Sequence, residues 1–375
     1  MIMKYSIETV QSGKQTKQFL MLPFRINADD KHWVPPLLMN VRALMKKNHP
    51  FYEHAEVEFY LAKNSGGQVV GRISACVNHT HNDYHKEKTG FFGFLECEND
   101  PKLAKLLLTT AENFVKERGM ETIRGPFNLS TNEECGLLVE GFDTDPRLMM
   151  LHNPKWLGGL VEAAGYSKLM DLLAYWLDGD TDGFKKLFRI SEMVQKRGNW
   201  KVRGINLKDL NNDMRKIMDV YNECWGENWG FVPMSPREFA AMVDELKMLI
   251  TPDLTPIVEL DGEVVAFGVA LPDANIAFKK GNGRAIPSIL ALKVPPFKVK
   301  IDRVRVLLMG VKKKHRNKGL EAIVIDKMIQ NSKKMDMGRG ELSWVLENNV
   351  EMRAILEKQM NADLYKRYRI YQKEF

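Results

Sequence analysis

Arg303-Val-Arg-Val-Leu-Leu-Met-Gly-Val311 runs into Lys312-Lys-Lys-His-Arg316-Asn-Lys-Gly319-Leu320-Glu321, and an apolar-periodic run then continues toward Lys334. Val304, Val306 and Leu308 are apolar at period two, as in a strand with one buried face. Leu320, Ile323, Val324, Met328 and Ile329 recur at helical spacing. Between them lies a short basic turn that ends in Gly319. A strand, a basic turn and a helix N-terminus together make an anion site, because the first backbone N–H groups of a helix have no intrahelical partner and the dipole adds positive charge. Gly319 permits close approach to the backbone, and Lys312, Lys313, Lys314, Arg316 and Lys318 add field.

Outward from this stretch, the chain has 375 residues with 44% hydrophobic content. At roughly 150 residues per domain, two domains are expected. No run of about 18 apolar residues suits a membrane-spanning helix. The opening Met1-Ile-Met-Lys-Tyr-Ser lacks the layout of a signal peptide. Cys76, Cys97, Cys135 and Cys224 are scattered without a CxxC pair, which reads as reduced thiols of a cytoplasmic protein. His79, His81 and His85 share what reads as a polar loop, but no cysteine or second cluster joins them, and no metal is expected. The net charge is +7, with lysines gathered near 279–280, 293–300 and 312–318. A phosphorylated cofactor, an anionic membrane surface or nucleic acid each fits that balance.

In chain order, a strand at 3–10 precedes helices at 13–26 and 37–47 and strands at 56–63, 68–77 and 91–97. A helix at 102–118 stops at Gly119, and a short strand at 122–125 leads into a polar loop over 126–153. A helix at 154–164, with Asn153 as its cap, and a strand at 168–178 follow. A connecting helix spans 180–199, and then the order restarts. A strand at 201–207, helices at 207–224 and 236–250 and a hairpin over 255–271 precede an insertion at 272–300, which holds a short helix near 286–293. The opening stretch supplies the next strand and helix, and a strand at 341–346, a helix at 350–359 and a strand at 365–372 close the chain. The expected fold class is α/β (α+β), with two mixed-sheet domains in tandem: 1–179, a linker helix at 180–199, and 200–375. The repeat lies in element order rather than in visible sequence.

Arg316-Asn-Lys-Gly319-Leu-Glu321 resembles the Gln/Arg-x-x-Gly-x-Gly/Ala pyrophosphate loop of the GNAT acyltransferases, with Glu321 where that family has a small residue. The twice-met order of strand, two helices, three strands, helix, strand, helix and strand resembles the GNAT topology. Trp344-Val-Leu-Glu347-Asn-Asn349, a helix, and Lys366-Arg-Tyr-Arg-Ile370 resemble the family's fifth strand, asparagine-led helix and closing strand. The likeness spans most of the chain. Gly125-Pro-Phe-Asn-Leu-Ser-Thr-Asn132, Gly141-Phe142-Asp143 and Asn228-Trp-Gly-Phe-Val-Pro-Met234 are similar to a bacterial tandem-GNAT group related to ceramide synthase-like acyltransferases. Those proteins move a fatty acyl group from acyl-CoA to a long-chain amine. The first half lacks the loop, since Glu96-Cys-Glu98-Asn-Asp100-Pro101 sets three carboxylates and no glycine where a pyrophosphate would lie.

The resemblance implies coenzyme A or acyl-CoA as co-substrate. Pantetheine would lie along Met309, Gly310 and Val311, and the pyrophosphate would lie on Arg316, Asn317, Lys318, Gly319 and Leu320, with Asn349 near the cofactor. The implied activity is CoA-dependent N-acyl transfer, of acetyl or a longer chain, to an amine that includes long-chain lipid amines. A catalytically inactive GNAT-fold binding or scaffold protein and a tRNA-dependent aminoacyl transferase stand as alternatives. The family's frequent acid is a tyrosine seven residues past the asparagine, and Leu356 stands there, with Tyr365 and Tyr368 nearby.

Acyl transfer to an amine requires removal of a proton, stabilisation of the carbonyl oxygen and a fate for the thiolate. Glu347, at the end of the fifth strand, is the first candidate base, its other role being a capping acid before Val350. Asn132 and Glu134 are further catalytic candidates, and Asn128 and Ser130 are candidate substrate-binding residues. A loop of about twenty residues in a compact domain is often functional. This one would fold over the acceptor site between the halves, or satisfy its own backbone in solvent. Asn228 and Trp229 would line a substrate site, or belong to a helix-end cluster in the core. The expected partner is a small-molecule or lipid amine, without nucleic acid. The basic clusters fit a cytoplasmic protein with peripheral contact at the inner membrane face.

Overall fold

A computed structural model describes residues 4–178, 182–226 and 228–375. The first half runs β1 (Tyr5–Thr9), α1 (Gly13–Ile26), α2 (Leu38–Leu44), β2 (Ala55–Asn64), β3 (Val69–Asn78), α3 (His79–His85), β4 (Thr89–Cys97), α4 (Pro101–Lys116), β5 (Thr122–Gly125), β6 (Leu137–Glu140), α5 (Trp156–Ala163) and β7 (Ser167–Asp178). The second runs α6 (Asp182–Arg197), β8 (Lys201–Gly204), α7 (Leu210–Trp225), α8 (Pro236–Leu246), β9 (Pro256–Leu260), β10 (Glu263–Pro272), α9 (Asn275–Gly281), α10 (Ala285–Lys293), β11 (Arg303–Val311), α11 (Leu320–Lys334), β12 (Arg339–Leu346), α12 (Val350–Ala354) and β13 (Asp363–Glu374). Local chemistry sets the helix starts. Ser12 and Gln15 form a capping box on α1, Ser235 and Glu238 another on α8, and Asp100 caps α4 with Pro101 in its first turn.

The chain forms two compact units. Unit 1 takes the described residues of Met1–Leu172, Ala277–Lys298 and Lys366–Phe375, and unit 2 takes those of Leu173–Ile276 and Val299–Tyr365. The last strand of the chain therefore completes the sheet of unit 1, and the end of β7 belongs to unit 2. In unit 1 the strand order is β1-β2-β3-β4-β5-β13, with β6 also on β13. Only β4–β5 is parallel among its described pairings. Phe19 of α1 packs edge-on against Phe59 and Phe94 at 5.3 and 5.9 Å. Leu103, Leu107 and Ala111 of α4 bury with Ile73, Ala75, Val77 and Phe92.

In unit 2 the order is β7-β12-β11-β10-β9-β8, with β11–β12 parallel. Leu320, Ile323, Val324 and Met328 of α11 bury against Val258, Val265 and Val304. The helical spacing read from those residues is the face that α11 hides. Ser191 of α6 donates to Asp326 of α11 at 2.6 Å, joining two helices of the same layer.

Three local expectations change. Asn153 does not cap α5. Its side chain accepts from Leu138 N at 2.8 Å and donates to Leu138 O at 3.2 Å, and Lys155 precedes the helix without a side-chain cap. The strand it fastens, β6, lies inside the segment expected to be loop, because four residues between Gly136 and Gly141 (φ 80° and 86°) are too few to show a period. The histidine segment, expected as a polar loop, is the short helix α3, capped by Asn78.

Candidate functional site

In unit 2, β11 and β12 pair only from Arg303↔Arg339 to Val306↔Leu342, although the strands continue to Val311 and Leu346. The register of β11 against β10 places Val306 opposite Ala270 and Leu308 opposite Val269, so Leu307 is a bulge. A bulge bends its strand and raises the local twist, and this one stands where the ladder to β12 stops. Leu307, Leu308 and Met309 are half-buried, and among the described residues no loop backbone group bonds to their edge.

The turn after β11 is shaped by two positive φ angles, 61° at Asn317 and 80° at Gly319, and Gly319 opens α11 without any side-chain cap. The last turn of α7 braces it. Glu223 accepts from Lys313 N at 2.9 Å, Cys224 Sγ donates to Val311 O at 2.9 Å, and Arg316 donates to Cys224 O at 3.2 Å. Lys312 and Lys314 both reach Glu263, at 2.6 and 2.9 Å, and hold its carboxyl down at about 2. Lys313, Arg316 and Lys318 are exposed. His315 is buried edge-on to Trp200, and burial, with Lys318 and Lys314 nearby, lowers its pKa. A Cβ on Gly319 would lie 2.8 Å from Val194 Cγ2 of α6. Gly319 is thus required twice, by its φ and by the helix that covers its α-carbon.

Below the point of divergence lies a polar group of which sequence reasoning named only Tyr365. Glu341 is fully buried and Arg305 is 2% exposed. Ser343 Oγ donates to Glu341 Oε1 at 2.6 Å and accepts from Arg305 Nε at 3.0 Å. Arg305 Nε lies 3.7 Å from Glu341 Oε1, its guanidinium lies 5.3 Å from the centre of the Trp344 ring, and Tyr365 donates its hydroxyl to Glu341 Oε2. A buried ion pair persists only where its remaining lone pairs and protons are satisfied, and these partners do that. The available signal is an arginine and a glutamate on two strands. Their register, Arg305↔Glu341, is a non-local fact that the sequence does not carry.

The other predicted residues divide between the units. In unit 2, Glu347 is half-buried beyond β12, its carbonyl accepting from Arg353 at 3.0 Å, while the adjacent Asn349 caps α12 by accepting from Met352 N at 3.1 Å. Asn228 and Trp229 are half-buried in the turn after α7, where Asn228 N donates to Trp225 O at 2.8 Å and Phe231 packs 5.6 Å from Tyr221. Leu356 is core, 1% exposed. In unit 1, Asn128 donates to Glu134 Oε2 at 3.2 Å, and Ser130 Oγ accepts from Asn132 N at 3.1 Å, so these four share one loop.

Unit 1 repeats the divergence and fills it. The β4–β5 ladder ends at Phe91↔Arg124, and β4 bulges where Arg72↔Glu96 gives way to Ser74↔Gly93. Phe127 N then donates to Phe92 O at 2.7 Å, and Asn128 Oδ1 accepts from Phe94 N at 2.8 Å. A Cβ on Gly93 would stand 1.7 Å from Phe127 O, so the loop occupies the opening. The carboxylates at and beyond the end of β4 are engaged: Glu96 with Arg72, Glu98 with Arg25 at 2.6 Å, and Asp100 with Lys4 at 2.6 Å.

A bulged strand that parts from its parallel neighbour thus occurs in each unit, and the fold is that of tandem GNAT proteins. The chain is similar in structure to the GCN5-related N-acetyltransferase from Sphaerobacter thermophilus, with a TM-score of 0.55 and 12% identity over 100% of this chain and 96% of that one. It is likewise similar to the tandem GNAT protein from the clavulanic acid biosynthesis pathway, with a TM-score of 0.57 and 10% identity over 99% and 98% of the two chains. In sequence it is 37% identical over 378 residues to the bacterial ceramide synthase of Caulobacter vibrioides (strain NA1000 / CB15N), covering 98% of this chain and 97% of that one. It is 34% identical over 374 residues to protein YghO of Escherichia coli (strain K12), covering 98% and 95%. No family model matches the chain. The chain belongs to the family of these two bacterial proteins. Among the described residues no helix is long and apolar enough to cross a membrane, and no cluster of three or more metal-ligating side chains occurs.

Proposed function

We infer that the chain is an N-acyltransferase that moves the acyl group of an acyl-CoA onto an amine, and that unit 2 holds the acyl-CoA. The observation that carries this reading is the edge of Leu307–Met309 on the β12 side, which among the described residues takes no strand or loop partner, followed by the N-terminus of α11, which has no side-chain cap. Those groups fit the two ends of the donor. Strand N–H groups suit a pantetheine amide and a thioester carbonyl, and a helix N-terminus with Arg316 and Lys318 beside it suits a pyrophosphate. The amine nitrogen attacks the thioester carbonyl carbon, the C–N bond forms and the C–S bond breaks. The proton lost by nitrogen balances the one gained by sulfur, giving an amide and a free thiol.

Glu341, Tyr365 and Ser343 are the residues assigned to that proton, since they form a hydrogen-bonded chain at the closed end of the divergence. Leu356, in the core, leaves the usual tyrosine position without an acid. The relative named bacterial ceramide synthase supports a long-chain acyl group and a long-chain amine acceptor. Release of free thiol from palmitoyl-CoA and from acetyl-CoA, with and without a long-chain primary amine, tests this. Amide product formed from palmitoyl-CoA in preference to acetyl-CoA is expected. No amide from either donor would overturn the reading.

A further inference from the structure

The insertion between β10 and β11 carries a face that the acyl-transfer reading does not use. From Ala277 onward its first helix, α9, belongs to unit 1 and is fastened within it. Lys279 donates to Asp145 Oδ2 at 2.7 Å and to Lys31 O at 2.5 Å, and Gly283 O accepts from Leu38 N at 3.0 Å. The next helix, α10, buries small residues and shows large ones. Ser288 and Ala291 are each 1% exposed, and a Cβ on Gly281 would lie 2.0 Å from Ser288 Oγ, so the inner face is tightly filled. On the outside, Ile286 is 74% exposed, Ile289 40%, Val294 39% and Phe297 52%. A soluble helix normally does the reverse.

Charge says what covers this face. Residues 275–301 contain Lys279, Lys280, Arg284, Lys293, Lys298 and Lys300, and no aspartate or glutamate. Lys280, Arg284, Lys293 and Lys298 are exposed around the apolar side chains. A second copy of the chain would set like charges against one another. A bilayer with anionic lipid offers both an apolar layer and a negative surface. We propose that α10 and the segment through Lys298 form a membrane-docking surface for anionic bilayers, with Ile286, Ile289, Val294 and Phe297 entering the headgroup–acyl boundary and the surrounding cations facing lipid phosphates. This assignment is independent of the acyl-transfer reading.

Co-sedimentation with vesicles tests it, using phosphatidylcholine alone and phosphatidylcholine with about one third phosphatidylglycerol, at about 0.1 M and 0.5 M salt. The full-length chain is expected to bind the anionic vesicles, less at high salt. Ile286→Ser with Phe297→Ser should weaken partition by about tenfold per side chain, and Lys293→Gln with Lys298→Gln by about fivefold per lysine. The altered side chains are exposed, and unchanged circular dichroism melts will show that the variants fold. Equal binding to neutral vesicles, binding that the variants leave unchanged, or a concentration-dependent dimer abolished by Ile286→Ser would each overturn the assignment.

Discussion

Tyr365 donates its hydroxyl to one oxygen of the Glu341 carboxylate, and Ser343 donates to the other, at the point where β11 and β12 part. Glu341 is fully buried while Tyr365 is half-buried, so the tyrosine links a buried carboxylate to the less buried side of the strand. Glu341→Gln keeps the shape and removes the charge. Its expected effect is a fall of about 10²–10⁴-fold in kcat, with KM for acyl-CoA little changed. Tyr365→Phe should lower kcat in the same direction and shift its pH profile. A merely structural role would lower the melting temperature and leave kcat at permissive temperature intact.

Gly319→Ala places a methyl group against Val194 at a φ of 80°. A loss of about 1–3 kcal/mol in urea unfolding is expected. Val194→Ala in the same chain should recover part of that loss, with a coupling of about 0.5–2 kcal/mol. Strict additivity of the two substitutions would show that α6 does not constrain the turn.

Arg72 anchors the end of β4, pairing with Glu96 and donating to Phe19 O at 2.8 Å. Arg72→Met should cost about 3 kcal/mol by leaving that carboxylate without its cation. Burial already raises the pKa of Glu96, and Arg72 opposes that rise. Without Arg72 the folded chain holds a proton there to higher pH than the unfolded chain, so the deficit should shrink as pH falls. Adding Glu96→Gln should remove most of the pH dependence. Urea midpoints across pH will decide this, and a deficit that grows on acidification would refute it.

His81 is 4% exposed, 3.5 Å from Glu87 Oε2 and 4.5 Å from the tilted ring of His85, and Arg124 pairs with the same Glu87 oxygen at 2.6 Å. Burial, then His85, hold its pKa at about 4, with Glu87 opposing. The ordinary histidine value is about 6.5. At neutral pH His81 is uncharged in both states. As pH falls below about 6.5 the unfolded chain takes up a proton that the folded chain refuses, and stability drops by about 2–3 kcal/mol on approaching pH 4. His81→Gln should flatten that slope in chemical denaturation, and an unchanged slope would place the acid sensitivity elsewhere.

Much of unit 2 was legible in its own stretch. While the left-handed φ of Asn317 and Gly319 is visible only in the structure, period two over Val304–Leu308 and helical spacing from Leu320 onward point to β11 and α11 with a basic turn ending in Gly319 between them. These are local properties, set by steric and burial preferences within a few residues. The bulge at Leu307 depends on its register with β10, and the Glu341–Tyr365 bond depends on the pairing of three strands. Neither is encoded within one window of sequence. Element order likewise carries no information about which sheet a terminal strand joins, and Lys366–Phe375 belongs to unit 1. Asn128 shows the converse case. The sequence marked it as a loop residue of interest, and the structure places its side chain on the backbone of β4, inside the opening that it helps to fill.

Calorimetric titration of coenzyme A into the full chain tests the central claim most directly. One site per chain is predicted, because the opening in unit 1 is occupied by Phe127 and Asn128, whereas among the described residues no loop backbone bonds into that in unit 2. Arg316→Ala with Lys318→Ala should weaken binding by about tenfold or more, while Glu98→Gln in unit 1 should leave it unchanged. Absence of binding, two sites per chain, or affinity indifferent to Arg316 and Lys318 would contradict the assignment of unit 2 as the half that holds acyl-CoA.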